Sequence, residues 1–211
     1  MKNYKFIMLC TMINVFSSCT GQSLDSKPDQ IVGGTCEGCE AIVEFGEKKL
    51  SAIDTLPGFE ENEPKLKISG KVFQEDGETP VSDVIIYIYQ TNRIGIYETK
   101  GDETGWAKRH GIIRGWVKTG KEGNYSFYTF RPGAYPTRDE PEHIHITVKE
   151  QGKTAYYLDE FVFVDDPLLS QEKRKNLPNR GGSGITNPIL GNGIWTIRRD
   201  LILGKNIPDY E

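Results

Sequence analysis

The sequence predicts an all-β fold: an antiparallel β-sandwich with one short helix and long loops. Three observations carry that prediction. Strand-length apolar runs recur from residue 65 onward, turn-forming residues separate them (the chain holds 23 Gly and 11 Pro), and only one segment has the composition of a helix. The first run, "KLKISGKVFQ" (65–74), alternates apolar and polar residues as a half-buried strand does. After the turn "EDGETP", "VSDVIIYIYQT" (81–91) has a continuous apolar centre, the mark of a strand buried on both faces. "GIIRGWVKT" (111–119) and "NYSFYTFRPG" (124–133) flank the turn "GKEG" and are expected to pair as a hairpin. "HIHITVKE" (143–150) and "TAYYLDEFVFVDD" (154–166), joined at "QGK", are expected to form another. "GIWTIRRDLILG" (193–204) closes the series, and "PLLSQEKRKNL" (167–177) is the helix. The irregular segment 95–110 holds Tyr97 and Trp106, and long loops on a rigid sandwich are where sites usually sit.

Composition narrows the classes of function. A chain of 211 residues with 36% hydrophobic and 27% charged residues is long enough for one ordinary soluble core. Its net charge of −4 gives no footprint for nucleic acid, and the basic cluster at 171–180 reads as a solvated helix face. Residues 1–18, a basic start and a short apolar stretch ending in "SS", have the pattern of a signal peptide. The small residues before Cys19 resemble the lipobox of a bacterial lipoprotein, in which that cysteine is acylated. Phe16 departs from the usual aliphatic residue, so plain signal cleavage near Ser18 is the other reading. The chain is thus expected to be exported, periplasmic or at the cell surface, meeting a membrane only through an N-terminal lipid anchor. Residues 19–63 read as a tether and an N-terminal extension, and 64–211 as the sandwich domain. The extension carries Cys36 and Cys39 in "GTCEGCE". A CxxC pair can be a redox couple, half a zinc site or a disulfide loop, and export favours the structural disulfide.

The stretch "RPGAYPTRDEPEHIHITVKE" (131–150) carries the chemistry. On a strand, His143 and His145 share one face, while Ile144, Ile146 and Val148 take the other and supply a core face. Two imidazoles side by side call for something to hold. Together with "GIY" (95–97), "TGKEGNYSFYTFRPGAYP" (119–136) and "EPEHIH" (140–145), this stretch resembles the intradiol ring-cleavage dioxygenases, over about residues 64 to 205. The resemblance implies that Tyr97, Tyr135, His143 and His145 bind one non-haem ferric ion (Fe3+), with a catechol-type aromatic and O2 as the reactants. It implies that the catechol chelates the metal and displaces one tyrosinate, which helps take the substrate's protons. Tyr97 is then the candidate for the retained ligand and Tyr135 for the one that swings away. The choice of residues suits the metal, because a hard trivalent ion prefers anionic oxygen, with imidazole as companion.

Two positions depart from the family pattern. An arginine commonly stands where this chain has Glu140, and a glutamine where it has Glu160. Arg138 is the nearest cation that could substitute. Added carboxylates disfavour an anionic catechol and so predict a neutral or amine-bearing one. Tyr125 and Tyr128 are read as packing, and His110 as a surface or outer-shell residue. Two other readings compete. "HIHITVKE" also resembles part of a cupin motif with Glu150 as a carboxylate ligand, although Thr137 and Tyr157 stand where that motif expects glycines. Residues 68–91 resemble a hairpin of carboxypeptidase-regulatory-like sandwiches, which would make the chain a non-catalytic binding module.

Overall fold

A computed structural model describes residues 28–211. The signal-peptide segment 1–18 and the lipidation candidate Cys19 lie outside the described residues. Two sheets face each other. The first holds β1 (Ile53–Thr55), β5 (Asn124–Phe130), β2 (Lys65–Phe73), β11 (Ile194–Arg198) and β10 (Ile189–Gly191) in that order, with β12 (Leu201–Ile202) also on β2. The second runs β4 (Arg114–Lys118), β3 (Ile85–Tyr89), β6 (His143–Lys149), β8 (Phe161–Phe163) and β9 (Ile185–Thr186), with β7 (Tyr156–Tyr157) on β6. Antiparallel pairs form the centre of both sheets. Parallel pairs occur as well, β1 with β5, β11 and β12 with β2, and β8 with β9. The sandwich is therefore mixed.

The core lies between the inner faces and follows the period of two. Leu66, Ile68 and Val72 from β2 and Tyr125 and Phe127 from β5 meet Ile86 and Ile88 from β3 and Ile144, Ile146 and Val148 from β6. The continuous apolar centre of β3 is buried on both faces, as its composition predicts: Ile86 and Ile88 turn inward, and Tyr87 is covered on the outside.

The expected hairpin of 111–119 with 124–133 does not form. β4 pairs with β3 and β5 with β2, so the turn between them crosses from one sheet to the other. Backbone hydrogen bonds show why. Thr119 at the end of β4 is stitched to Val84 and Asp83, whereas Gly123 accepts from the Val72 N–H at 2.9 Å. A hairpin would lay Val117 beside Tyr125 and Phe127 on one surface, while the crossing sets them on opposing sheets, where they bury one another. The turn at 75–80 behaves likewise: after a single bridge, Phe73 to Pro80, the chain moves on to the second sheet. The 154–166 run is broken between β7 and β8, where the Asp159 side chain accepts from the backbone N–H groups of Asn179 and Arg180. Two short helices occur rather than one. α2 (Gln171–Lys175) lies within the expected helix and is N-capped by Ser170, and α1 (Ala107–His110) falls in the segment read as irregular.

The outer face of the second sheet is covered rather than solvated. Residues 39–43 form a 3-10 turn whose Ala41 and Ile42 pack on Tyr87 and Trp116. Trp116 Nε1 donates to the Ala41 carbonyl at 3.1 Å, and the Asp54 carboxylate accepts from the Trp116 N–H at 2.9 Å. Burying a large aliphatic such as Ile42 contributes roughly 1.5–3 kcal/mol, so the extension is held against the sheet that carries the histidine pair.

Candidate metal centre

His143 and His145 project from the outer face of β6, and Ile144, Ile146 and Val148 fill the core on the inner face. The tyrosines come from two loops that interlock. Asn92 organises the first, its side chain accepting from the Ile94 and Ile96 N–H groups. Gly95, at φ +79°, packs so closely on the second that a Cβ there would lie 1.9 Å from the Ala134 carbonyl oxygen. The Gly133 N–H donates to the Asn92 carbonyl at 2.9 Å. Only glycine permits this approach at such a φ, and it brings Tyr97 and Tyr135 together.

Four side chains converge. Tyr97 Oη lies 2.5 Å from Tyr135 Oη and 2.7 Å from His145 Nε2. His143 Nε2 is 3.3 Å from Tyr135 Oη and 3.2 Å from His145 Nε2, and Tyr135 Oη is 3.4 Å from His145 Nε2. Ligands about 2.0–2.1 Å from one first-row metal ion stand roughly 2.9–3.4 Å apart in tetrahedral or octahedral arrangements. Most of these separations fall in that range, so the donor set fits a single ion. The set is two phenols and two imidazoles, hard and rich in oxygen. Among the described residues no group of three or more His, Cys, Asp or Glu side chains converges, so the cluster depends on its tyrosines.

The surroundings prepare the nitrogens. The His143 Nδ1–H donates to the Pro141 carbonyl at 2.7 Å, which leaves the Nε2 lone pair facing the cluster. Burial and the neighbouring His145 lower the His143 pKa, which keeps that lone pair free. Burial raises the pKa of both Tyr97 and Tyr135, so without a cation the phenols are neutral. Binding a metal here must release their protons.

The other predicted residues fall as follows. Glu160 sits behind His145, its carboxylate 3.5 Å from Nδ1. Burial alone would raise the Glu160 pKa, but the contact with His145 outweighs it and brings it to about 2. Glu140 and Arg138 lie on the loop before β6, half-exposed and 3.6 Å apart, and the Arg138 guanidinium stands 5.5 Å from the Tyr135 ring centre. Arg138 is thus paired with Glu140. Glu140, Glu160 and His143 border a cavity of about 470 Å³ whose apolar wall is Val162, Leu169 and Leu177. Glu150 lies elsewhere, accepting from the Tyr156 and Tyr210 hydroxyls at 2.5 and 2.9 Å, so the cupin ligand set is not assembled. Tyr125 is buried, with its hydroxyl on the Arg199 carbonyl, and Tyr128 packs edge-on against Phe59.

Sequence reasoning missed one feature. His110 is buried rather than superficial, and its ring stacks on Tyr89, which stacks in turn on His145. Tyr89 and His145 are register partners on adjacent strands. The alternation Tyr87–Ile88–Tyr89 signals that Tyr89 faces outward, but only the strand register shows that it faces a histidine. On the tyrosine side of the cluster a second cavity, about 190 Å³, is bordered by Glu37, Tyr89, Tyr97, Trp106 and Arg109.

The family model for Dioxygenase matches residues 44–173, well over half of the chain. The chain belongs to the intradiol ring-cleavage dioxygenase family. It is 28% identical over 140 residues to the protocatechuate 3,4-dioxygenase beta chain of Burkholderia cepacia, covering 61% of this chain and 59% of that one. It is 35% identical over 116 residues to catechol 1,2-dioxygenase 1 of Acinetobacter lwoffii, covering 52% of this chain and 35% of that one. The chain therefore spans between about a third and three-fifths of the length of these relatives. Among solved structures, the dioxygenase domain of a dioxygenase–carbohydrate-binding fusion from Streptomyces sp. SirexAA-E aligns with a TM-score of 0.53 at 21% identity, over 85% of this chain and 98% of that one. Catechol 1,2-dioxygenase from Acinetobacter sp. ADP1 aligns with a TM-score of 0.56 at 17% identity, over 74% and 57%. These likenesses establish the shared fold.

Proposed function

We propose that this chain is a non-haem ferric intradiol dioxygenase that opens the ring of a catechol-type aromatic with O2, between its two hydroxyls. One observation carries the reading: Tyr97, Tyr135, His143 and His145 bring four donor atoms together in a family whose relatives include protocatechuate and catechol dioxygenases. When bound there, ferric iron supplies a Lewis acid that draws electron density from a chelated catechol and opens it to dioxygen.

The chain's own residues do the rest. Tyr97, hydrogen-bonded to His145 and hooked to the second loop through Gly95, is the ligand held most firmly. Tyr135 is the one to move aside, because it sits on the loop that carries the half-exposed Arg138 and Glu140. Its hydroxyl oxygen, among the donors of the cluster, would be the group placed to accept a substrate hydroxyl proton. His143, oriented by the Pro141 carbonyl, keeps its lone pair on the site throughout. The wall of Val162, Leu169 and Leu177 suits an aromatic ring. Glu140 and Glu160 on the same cavity, where Lys173 is paired with Asp139, repel a carboxylate substituent and favour a neutral or amine-bearing catechol.

The reading extends to the cell: an exported bacterial protein, carried out by residues 1–18 and anchored through an acylated Cys19, with residues 19–63 as tether and extension, whose Ile53–Thr55 adds a strand to the first sheet, and 64–211 as the rest of the dioxygenase domain. Its partners are a small aromatic and O2, with no nucleic acid. The test is the colour of the purified protein after loading with iron. Tyrosinate-to-ferric charge transfer makes it red-brown; a colourless iron-loaded protein would refute the site.

A further inference from the structure

We propose that the disulfide-closed loop Cys36–Cys39 positions the imidazole of His145, acting through Gly38, His110 and Tyr89. The role of His145 as a metal ligand rests on the function proposed above; the column of contacts behind it does not.

The two histidines of the cluster are oriented by different means. His143 has a strong partner for its outer nitrogen, the Pro141 carbonyl at 2.7 Å. His145 lacks an equivalent. Its Nδ1 is 3.5 Å from the Glu160 carboxylate, close enough for charge attraction but long for a hydrogen bond that would fix the ring's direction. Ligating histidines are ordinarily held by a hydrogen bond to that nitrogen, so something else must fix this ring.

What lies against its face is Tyr89, with ring centres 4.4 Å apart and planes at 16°. His110 stacks on Tyr89 at 3.8 Å and 6°, and Trp106 on His110 at 5.3 Å. His110 is itself held edgewise, its Nδ1 2.9 Å from the buried Tyr87 hydroxyl. Pressed against the opposite edge of His110 is the backbone of Gly38: a Cβ there would lie 2.7 Å from Nε2 and 2.8 Å from Cε1. Gly38 has φ +88° and heads a loop closed by the Cys36–Cys39 disulfide. On the Cys39 side, Ala41 and Ile42 anchor that loop in the apolar cluster with Tyr87 and Trp116. On the Cys36 side the chain is seated at Val32, in the core, and at Gly33, whose N–H donates to the Pro208 carbonyl; between there and Gly38 the ties are the disulfide and the ion pair of Glu37 with Arg109, the residue beside His110. Cutting the disulfide therefore loosens the short arm 34–37 and leaves Gly38 held from the seated side, where its carbonyl accepts from the Ala41 N–H.

The consequence is a ligand whose position depends on the redox state of a distant pair of sulfurs. A small-molecule dithiol reduces the bond by thiol–disulfide exchange. Two electrons and two protons pass to Cys36 and Cys39 as thiols, and the reagent leaves as its own disulfide. The chain's histidine count makes the effect readable. There are only three, His110, His143 and His145, and each ring has different neighbours.

The experiment is imidazole 1H–15N NMR of the metal-free protein, oxidised and then reduced with dithiothreitol, with a Cys36→Ser/Cys39→Ser variant as a second route to the open loop. The ring signals of His110 and His145 should shift or broaden, and those of His143, held by Pro141, should move least. His110→Ala should displace His145 in the same way, whereas His110→Phe, which keeps the stack, should not. In iron-loaded protein, with no dithiol present, the Cys36→Ser/Cys39→Ser and His110→Ala variants should bind ferric ion about 10-fold or more weakly, the range for loss of an outer-shell support. Unmoved His145 signals on opening the loop, or equal iron affinity in wild type and the Cys36→Ser/Cys39→Ser variant, would overturn the proposal. Failure of the unaltered protein to bind iron would defeat the functional reading instead, and the ring signals would still decide the positioning role.

Discussion

Replacing Gly95 by alanine tests whether the interlocked loops assemble the site. Two costs follow from the structure. The residue sits at φ +79°, where an L side chain costs about 1–2 kcal/mol. The added Cβ would also lie 1.9 Å from the Ala134 carbonyl oxygen. That contact involves backbone on both sides, so it is relieved only by moving one loop away from the other. Overpacking of this kind costs about 1–3 kcal/mol, and the sum is roughly 2–5 kcal/mol. The displacement falls on the turn that carries Tyr135, one residue beyond Ala134, and opens its 2.5 Å contact with Tyr97. Gly46→Ala is the control, because Gly46 has φ +58° with open space around its Cβ position, so only the backbone cost applies. Urea unfolding gives the stabilities, and the visible band of the iron-loaded protein reports the tyrosines. Gly95→Ala should lose more stability than Gly46→Ala and most of the band, while Gly46→Ala keeps the band. Equal losses of stability, with the band intact in both, would refute the claim that the Gly95–Ala134 contact holds the tyrosines together.

Other expectations follow from the same geometry. Tyr97→Phe and Tyr135→Phe should each weaken or shift the visible band, and His143→Ala or His145→Ala should remove most of the iron by metal analysis. Tyr125→Phe removes only a hydrogen bond to the Arg199 carbonyl; it should leave the spectrum unchanged and cost about 1 kcal/mol in unfolding experiments. Oxygen uptake should be faster on catechol and on a catecholamine than on protocatechuate, and Glu140→Arg should narrow the difference; protocatechuate as the best substrate would contradict the electrostatic reading. Burial and the nearby His145 and Arg114 charges lower the His110 pKa to about 4, against about 6.5 in the unfolded chain. The unfolded state therefore binds the proton first, so the stability contributed by neutral His110 is full above about pH 6.5 and declines as the pH falls toward 4. His110→Phe should flatten that part of the stability–pH curve, and an unchanged slope would show that His110 is not the group responsible.

How much of this was legible in the sequence differs between the site and its support. The face of β6 that carries His143 and His145 could be read from alternation alone, because Ile144, Ile146 and Val148 can only be core. The pairing of Tyr97 with Tyr135 came from resemblance to a family, and its physical cause, the glycine contact between two loops, has no local signature. Strand partners were less legible. The turn "GKEG" looks the same whether the chain folds back within a sheet or crosses to the facing one, and hydrogen bonds from residues far away in sequence, Val72 and Val84, decide it. For the same reason Tyr89 was passed over: its importance lies in standing opposite His145 across a strand pair. The extension was read as a tether and an added segment, and its acidic composition says nothing of Gly38, whose lack of a side chain is what lets it reach His110.

The central claim, ferric intradiol cleavage at the Tyr97–Tyr135–His143–His145 cluster, is tested most directly by turnover of catechol under 18O2 with the iron-loaded protein, read by mass spectrometry. The account predicts a ring-opened dicarboxylic acid that has taken up both atoms of one dioxygen molecule, with no reductant added, and no such product from Tyr97→Phe/Tyr135→Phe. Unchanged catechol, or a product opened outside the two hydroxyls and bearing an aldehyde, would contradict it.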